Sequence, residues 1–262
     1  MSEQGVAVHP TGALLRRFVV DWLDRADPAV PTEIMAPEYT IVIAGVEMAG
    51  REAYLEATTG QLARFPGLTV TVHDAVFTDD GRAALRFTEH GASVRGGSAA
   101  WRGIGLFRVE DGRLVHNATE EDYLGRRRQL LAGEPDPVDR PMVAPWTAPV
   151  APPDPDAEKA VRTWLEAGTP PRPGIEYDDG RTTAGLLDVD ALEVTDVFSA
   201  GRRVAVHAVA HGRYTGGLPD LDDAGSEPVA MGFAGLLDVA PDASVTGHVV
   251  RDRLGLHRAL AR

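Results

Sequence analysis

A carboxylate at the end of an apolar stripe is the first residue in this sequence that could do chemistry. Between residues 82 and 91, alternate positions read Ala83, Leu85, Phe87 and Glu89. In a strand these four side chains share one face. Burial of that face would desolvate the Glu89 carboxyl and raise its pKa toward the range of a useful general acid or base. The competing account puts Glu89 at the solvated end of its strand. His90 takes the other face by the same alternation, unless a bulge at Gly91 reverses it. Asp122 is a third catalytic candidate. It recurs with its neighbours Leu124 and Gly125 as Asp252, Leu254 and Gly255, so a helix cap or ion pair competes with a site role. Asn117, Thr119 and Glu121 share one face of the following strand and could bind a substrate oxygen or position a water. Tyr39 and Trp101 would supply pocket wall and a hydroxyl, or simply pack the core.

Other chemistries find little support. His207 and His211 share a strand face, but no third ligand lies near them, so no metal is expected. There are no cysteines, which removes disulfides, thiolate metal sites and a cysteine nucleophile. No nucleophile elbow, Walker loop or dinucleotide fingerprint occurs, and no cofactor is expected. The formal net charge of −13 argues against nucleic acid or an anionic membrane as partner, since both call for a basic face. No apolar run approaches the roughly 20 residues of a membrane span. Residues 1–10 lack the basic and apolar regions of a signal peptide, so a cytoplasmic location is expected.

The elements that must position these groups read as a mixed pattern. Residues 11–26 carry Leu14, Leu15, Phe18, Val19, Trp22 and Leu23 at helical spacing, with Thr11 as N-cap. A short helix starts near Pro31, a strand covers 39–44, and Gly45 and Gly50 bracket a hairpin. A helix over 51–65 stops at Pro66-Gly67. Four strands follow, over 68–78, 82–94, 99–110 and 113–121, and then a basic tail at 126–128. Eight prolines between 133 and 155 mark a semi-rigid linker. Its Met142, Val143 and Trp146 suggest a segment lying on a domain surface.

After the linker the same order returns. Trp164-Leu165 matches Trp22-Leu23, Gly180-Arg181 matches Gly50-Arg51, Arg203 matches Arg82, and His211-Gly212 matches His90-Gly91. Gly235-Leu236 matches Gly105-Leu106, and Asp252 matches Asp122. The order and nearly constant offset imply a duplication: a first domain over 1–132, the linker over 133–155, and a degenerate second domain over 156–262. The second lacks most of the region between the first helix and Gly50, gains a polar loop between Gly212 and Met231, and has Ala210 where the first has Glu89.

The succession resembles the SnoaL-like branch of the nuclear transport factor 2-like superfamily. Val72-His73-Asp74, Arg86-Phe87-Thr88, the run from Gly103-Ile104-Gly105 to Arg113-Leu114, and Asp122 with Arg128-Gln129-Leu130 carry the resemblance. It covers residues 11–131 well and 156–260 weakly. It implies an α+β fold of two cone-shaped domains, each a curved antiparallel sheet wrapped on helices, joined as an intrachain pseudo-dimer that leaves the chain a monomer. It also implies a cofactor-independent acid/base enzyme acting on a small hydrophobic polyketide-like molecule, as a cyclase, isomerase, dehydratase or epoxide-opening enzyme of bacterial secondary metabolism. The alternative is a non-catalytic small-molecule-binding or scaffold protein of the same fold. Enzymes of the superfamily often carry Asp on the last strand, where this chain has Thr119, and a carboxylate or His late in the first, where it has Val42 and Ile43.

Overall fold

The computed structural model describes residues 8–166, 173–180, 185–221 and 227–261. Arg181, and residues 222–226 of the polar loop, lie outside them. The chain opens with α1 (Pro10–Arg16), whose N-cap is His9 rather than Thr11; the His9 Nδ1 accepts from the Thr11 amide at 3.3 Å. The expected single α-helix changes character at Arg17, and Arg17–Asp24 is a π-helix. Such turns bond i to i+5 and insert an extra residue per turn. Here the widened turn buries Phe18, Val19, Trp22 and Leu23 together. The Trp22 indole reaches the Tyr54 hydroxyl at 3.2 Å, and Asp24 accepts the Val70 amide at 2.7 Å.

After α2 (Val30–Ile34), the strands β1 (Met35–Ile43), β2 (Val46–Ala49), β3 (Thr69–Phe77), β4 (Arg82–Ala92), β5 (Ser98–Glu110) and β6 (Arg113–Glu121) form one sheet. Its order is β2-β1-β6-β5-β4-β3. The β1–β6 pair is parallel and the others are antiparallel. Helix α3 (Arg51–Arg64) joins β2 to β3, and a core that includes Leu15, Phe18, Tyr39, Leu85 and Phe107 fills the concave side. The run 126–128, read as a tail, lies instead in α4 (Tyr123–Ala132). Arg126 points inward over the rings of Tyr123, Trp101 and Phe65, 4.2 to 5.6 Å from their centroids. Cation–π contact substitutes for an apolar residue there, so hydropathy does not reveal the helix.

The proline-rich segment lies on the sheet. The Met142 amide donates to the Val72 carbonyl at 2.9 Å, and Val150 bridges to Phe77. Asp139 pairs with Arg86 and Arg102, each at 3.1 Å. A Cβ on Gly12 would stand 2.4 Å from the Trp146 carbonyl oxygen, so α1 admits the linker only because residue 12 has no side chain.

Beyond it, α5 (Pro155–Glu166), β7 (Ile175–Tyr177), β8 (Leu187–Ala200), β9 (Arg203–Tyr214), β10 (Pro228–Val239), β11 (Val245–Arg251) and α6 (Arg253–Leu260) follow. The second sheet runs β7-β11-β10-β9-β8, with β7 parallel to β11. That is the order β1-β6-β5-β4-β3 again, and the two sheets fit a tandem arrangement. The caps repeat as well. Asp122 accepts the Gly125 amide at 3.0 Å, and Asp252 accepts the Gly255 amide at 2.8 Å. A Cβ on either glycine would strike that carboxylate, at 2.1 and 1.9 Å.

Between the sheets, Val76, Ala84, Ile104, Leu106 and Ala118 pack with Phe198, Ala200, Ala205, Ala234, Leu236 and Val250. Arg82 pairs with Asp196, and Arg203 pairs with Asp74. Among the described residues no helix is long and apolar enough to cross a membrane.

Candidate functional site

Two glycines open the site. On β5, a Cβ at Gly103 would lie 2.4 Å from the Phe87 ring and 3.1 Å from the Glu121 Cγ. At Gly105 it would lie 2.7 Å from the Thr119 Oγ1 and 3.1 Å from the Phe107 ring. The Gly-Ile-Gly run thus clears the concave face for the side chains of β4 and β6, while Ile104 points into the contact between the sheets. Gly103→Ala should cost about 1–3 kcal/mol by overpacking. A denaturant melt would measure it, and an unchanged midpoint would show that Phe87 yields freely.

The cleared space is a chamber of about 110 Å³. Phe18, Val19 and Leu23 of the π-helix wall one side. Tyr54, Thr58 and Gln61 come from α3, and Glu89, Asn117, Thr119, Glu121 and Tyr123 supply most of the other polar surface. Thr58, Gln61, Met48 and Tyr123 are half-buried and Ala57 is exposed, so the opening lies on their side.

Glu89 is 3% exposed. Its Oε2 accepts from the Gln61 amide at 2.7 Å. Burial pushes its pKa well above the ordinary carboxylate value, and the nearby Glu121 adds to the rise. Glu121 is 5% exposed, and its Oε2 accepts from the Trp101 indole at 2.7 Å. Burial raises it too, but the Trp101 donor, the Arg126 charge and the Tyr123 hydroxyl all favour its anion. Asn117 and Thr119 are joined by a 2.6 Å hydrogen bond from the Thr119 hydroxyl to the Asn117 Oδ1.

The other sequence candidates fall elsewhere. His90 faces away from the chamber, as the strand alternation requires; its Nε2 lies 3.0 Å from the Thr71 hydroxyl. Asp122 caps α4 and is buried against Arg253, with both carboxylate oxygens 2.6 Å from Nη2. Trp101 is behind the wall and acts on the chamber only through Glu121. Tyr39 is fully buried and stacks edge-on against Tyr54 at 5.3 Å. Its hydroxyl has Asn117 as polar neighbour, outside hydrogen-bonding geometry. Tyr54, Thr58, Gln61 and Tyr123 went unnoticed in the sequence. The first three recur at i, i+4 and i+7 on one face of α3, which would have marked that face as polar and inward.

In the second sheet, Ala210 and Arg251 occupy the places of Glu89 and Glu121. Ala210 is fully buried in an apolar core with Trp164, Met231 and Phe233. Arg251 is paired with Asp178 at 2.6 Å.

The carboxyl shifts give a test of stability. Both Glu89 and Glu121 are raised in the folded state, so their contribution is fully present below the unfolded carboxylate pKa of about 4.3 and is lost as pH rises through the folded values. Glu89→Gln should match the wild-type melting temperature near pH 4 and exceed it increasingly toward neutrality. A difference independent of pH would contradict the assigned shift.

Residues 15–117 match the SnoaL-like domain family. No curated protein matches the chain. Among solved structures, a loop-truncation variant of IdmH is 26% identical over 47% of this chain and 99% of its own, with a TM-score of 0.42. TsrD from Streptomyces laurentii is 26% identical over 46% of this chain and 94% of its own, with a TM-score of 0.42. An LEH-like epoxide hydrolase from M. tuberculosis is 17% identical over 47% of this chain and 91% of its own, with a TM-score of 0.41. Residues 15–117 are therefore a SnoaL-like domain of the nuclear transport factor 2-like α+β fold.

Proposed function

We propose that the chain is a cofactor-independent acid/base enzyme acting on a small hydrophobic molecule of polyketide type. The observation that carries this reading is the pair of buried carboxyls on the wall of one chamber, held in unequal surroundings. Two titratable groups whose environments drive them apart form an acid and a base. Glu89, whose hydrogen-bond partner is the neutral Gln61 amide, is the acid. Glu121, with the Trp101 indole, the Tyr123 hydroxyl and Arg126 around it, is the base. With a carbonyl oxygen at Glu89 and the adjacent C–H at Glu121, one proton leaves carbon for Glu121 while the Glu89 proton passes to oxygen. The product is an enol, the intermediate that isomerisation and intramolecular carbon–carbon closure share. Asn117 and Thr119 fix the orientation of the substrate.

Deuterium uptake from D₂O at the α-carbon of acetophenone, a one-ring ketone, followed by NMR, tests this directly. Protein-dependent exchange with a bell-shaped pH profile supports the enzyme. Saturable binding without exchange supports the rival reading, a non-catalytic binder.

We also propose that the chain divides into domains over 1–132 and 156–262 joined by the segment 133–155, packed as a pseudo-dimer in a monomeric chain. Reciprocal pairs support this. Arg82 and Arg203 hold equivalent places, as do Asp74 and Asp196, and each Arg meets the other half's Asp. Such exchange is the mark of a two-fold interface. A dimer in solution scattering would overturn it.

A further inference from the structure

The chamber is small for the molecule proposed. An apolar cavity of about 150 Å³ takes one benzene ring, so 110 Å³ admits a group of about that size. On the far side of the π-helix and α3 lies an outer cleft of about 410 Å³, walled by Trp22, Leu23, Leu62, Ala63, Pro66 and Leu68. Leu23 belongs to both linings. Its neighbour Trp22 lines the cleft while its indole bonds to Tyr54 of the chamber. This pair is the partition between the two spaces, and it stands on π-helical backbone, a form associated with functional sites.

The two compartments differ in chemistry. The chamber carries carboxyls, amides and hydroxyls. The outer cleft is apolar apart from Thr59 and Asp24, and the Asp24 carboxylate already accepts the Val70 amide. No Lys or Arg lines either space among the described residues, so neither is built for a phosphate or carboxylate group.

We propose that the substrate is a neutral two-part molecule, with a carbonyl-bearing head of one ring in the chamber and an apolar tail that passes Leu23 into the outer cleft. This rests on the acid/base reading of the chamber. Leu23 turns aside to connect the spaces, and tail length, rather than the chemistry of the head, sets affinity.

The series from acetophenone to octanophenone, titrated calorimetrically into the full chain, tests it. Affinity should rise about three- to fourfold per methylene over the first several carbons. Ala63→Trp, at an exposed position that touches only the outer cleft, should abolish that rise and leave acetophenone binding unchanged. Leu23→Phe, which thickens the partition, should also abolish the rise. A flat series in the wild type, a rise that survives Ala63→Trp, or no saturable binding by any member overturns the proposal. A rise with chain length but no Glu89-dependent exchange on acetophenone sinks the acid/base reading and leaves the two-compartment site standing. Glu89-dependent exchange with a flat series does the opposite.

Discussion

Glu89→Gln should lower turnover by about a hundredfold or more, with the fold intact. The substitution is nearly isosteric. The buried site already favours a neutral group there, because burial and Glu121 hold the Glu89 proton in place. Gln61 can still meet an amide oxygen at the position of Oε2. What is lost is a transferable proton, which a general acid supplies at about 10²–10⁴ in rate. The variant should therefore bind a ring ketone as the wild type does and lose the alkaline limb of the pH profile, the one set by deprotonation of the acid. Glu121→Gln should lose the acid limb instead. The two losses should not multiply, because acid and base act in one step. Steady-state rates across pH for the two single variants and the double variant measure all of this. Unchanged turnover in Glu89→Gln would remove it from the chemistry and return the chamber to a binding role.

The second large effect is on stability. Arg253→Met should cost about 3–5 kcal/mol, the expense of leaving buried carboxylates without their cation. Arg253 is 4% exposed. It meets Asp122 through Nε and Nη2, and lies 3.3 Å from Asp178 and 3.2 Å from Asp179. Without it these acids face one another with Arg251 bound to Asp178 nearby, and the Asp122 carboxylate that caps α4 becomes an uncompensated buried charge. That helix carries Tyr123 and Arg126, so the damage reaches the chamber from the opposite half of the chain. A calorimetric melting temperature should fall by about 10 °C. Arg253→Lys, which keeps the charge but loses the forked geometry, should fall between the two. Because Asp122, Asp178 and Arg253 are buried, the loss should change little with salt. A cost under about 1 kcal/mol would mean that Asp122 is neutral in the fold.

Much of the architecture was legible because strand alternation and turn glycines are local signals. β3 to β6 lie within two residues of their expected bounds, and the facing of Glu89 against His90 follows from period two alone. The π-helix was not legible, because its apolar spacing also fits an α-helix. Helix α4 was hidden by its arginines, one of which does the work of an apolar residue. At the site, Glu89, Asn117, Thr119 and Glu121 were within reach, since each lies on an inward strand face. Glu121 was read as a binding group, because its pairing with Glu89 depends on how β4 and β6 are brought together across β5. The role of Asp122 was open for a related reason. Its partner Arg253 lies 131 positions away, and the place that matches it in the proposed first copy is Tyr123, so comparing the two copies does not reveal the pair.

The contact between the sheets has a consequence for heredity. In an assembly of two identical chains, each substitution at the symmetric face is made twice, and both copies must tolerate it. In one continuous chain it is made once. Glu120 is buried against His207 at 3.3 Å, in the space that Gly232 leaves by lacking a Cβ. Their counterparts are Val250, Arg86 and Arg102, and Arg86 is engaged by Asp139 instead. Under the proposed pseudo-dimer, that one-sided arrangement requires the two faces to be encoded separately. The same freedom lets one half keep its acids while the other fills the corresponding space with alanine.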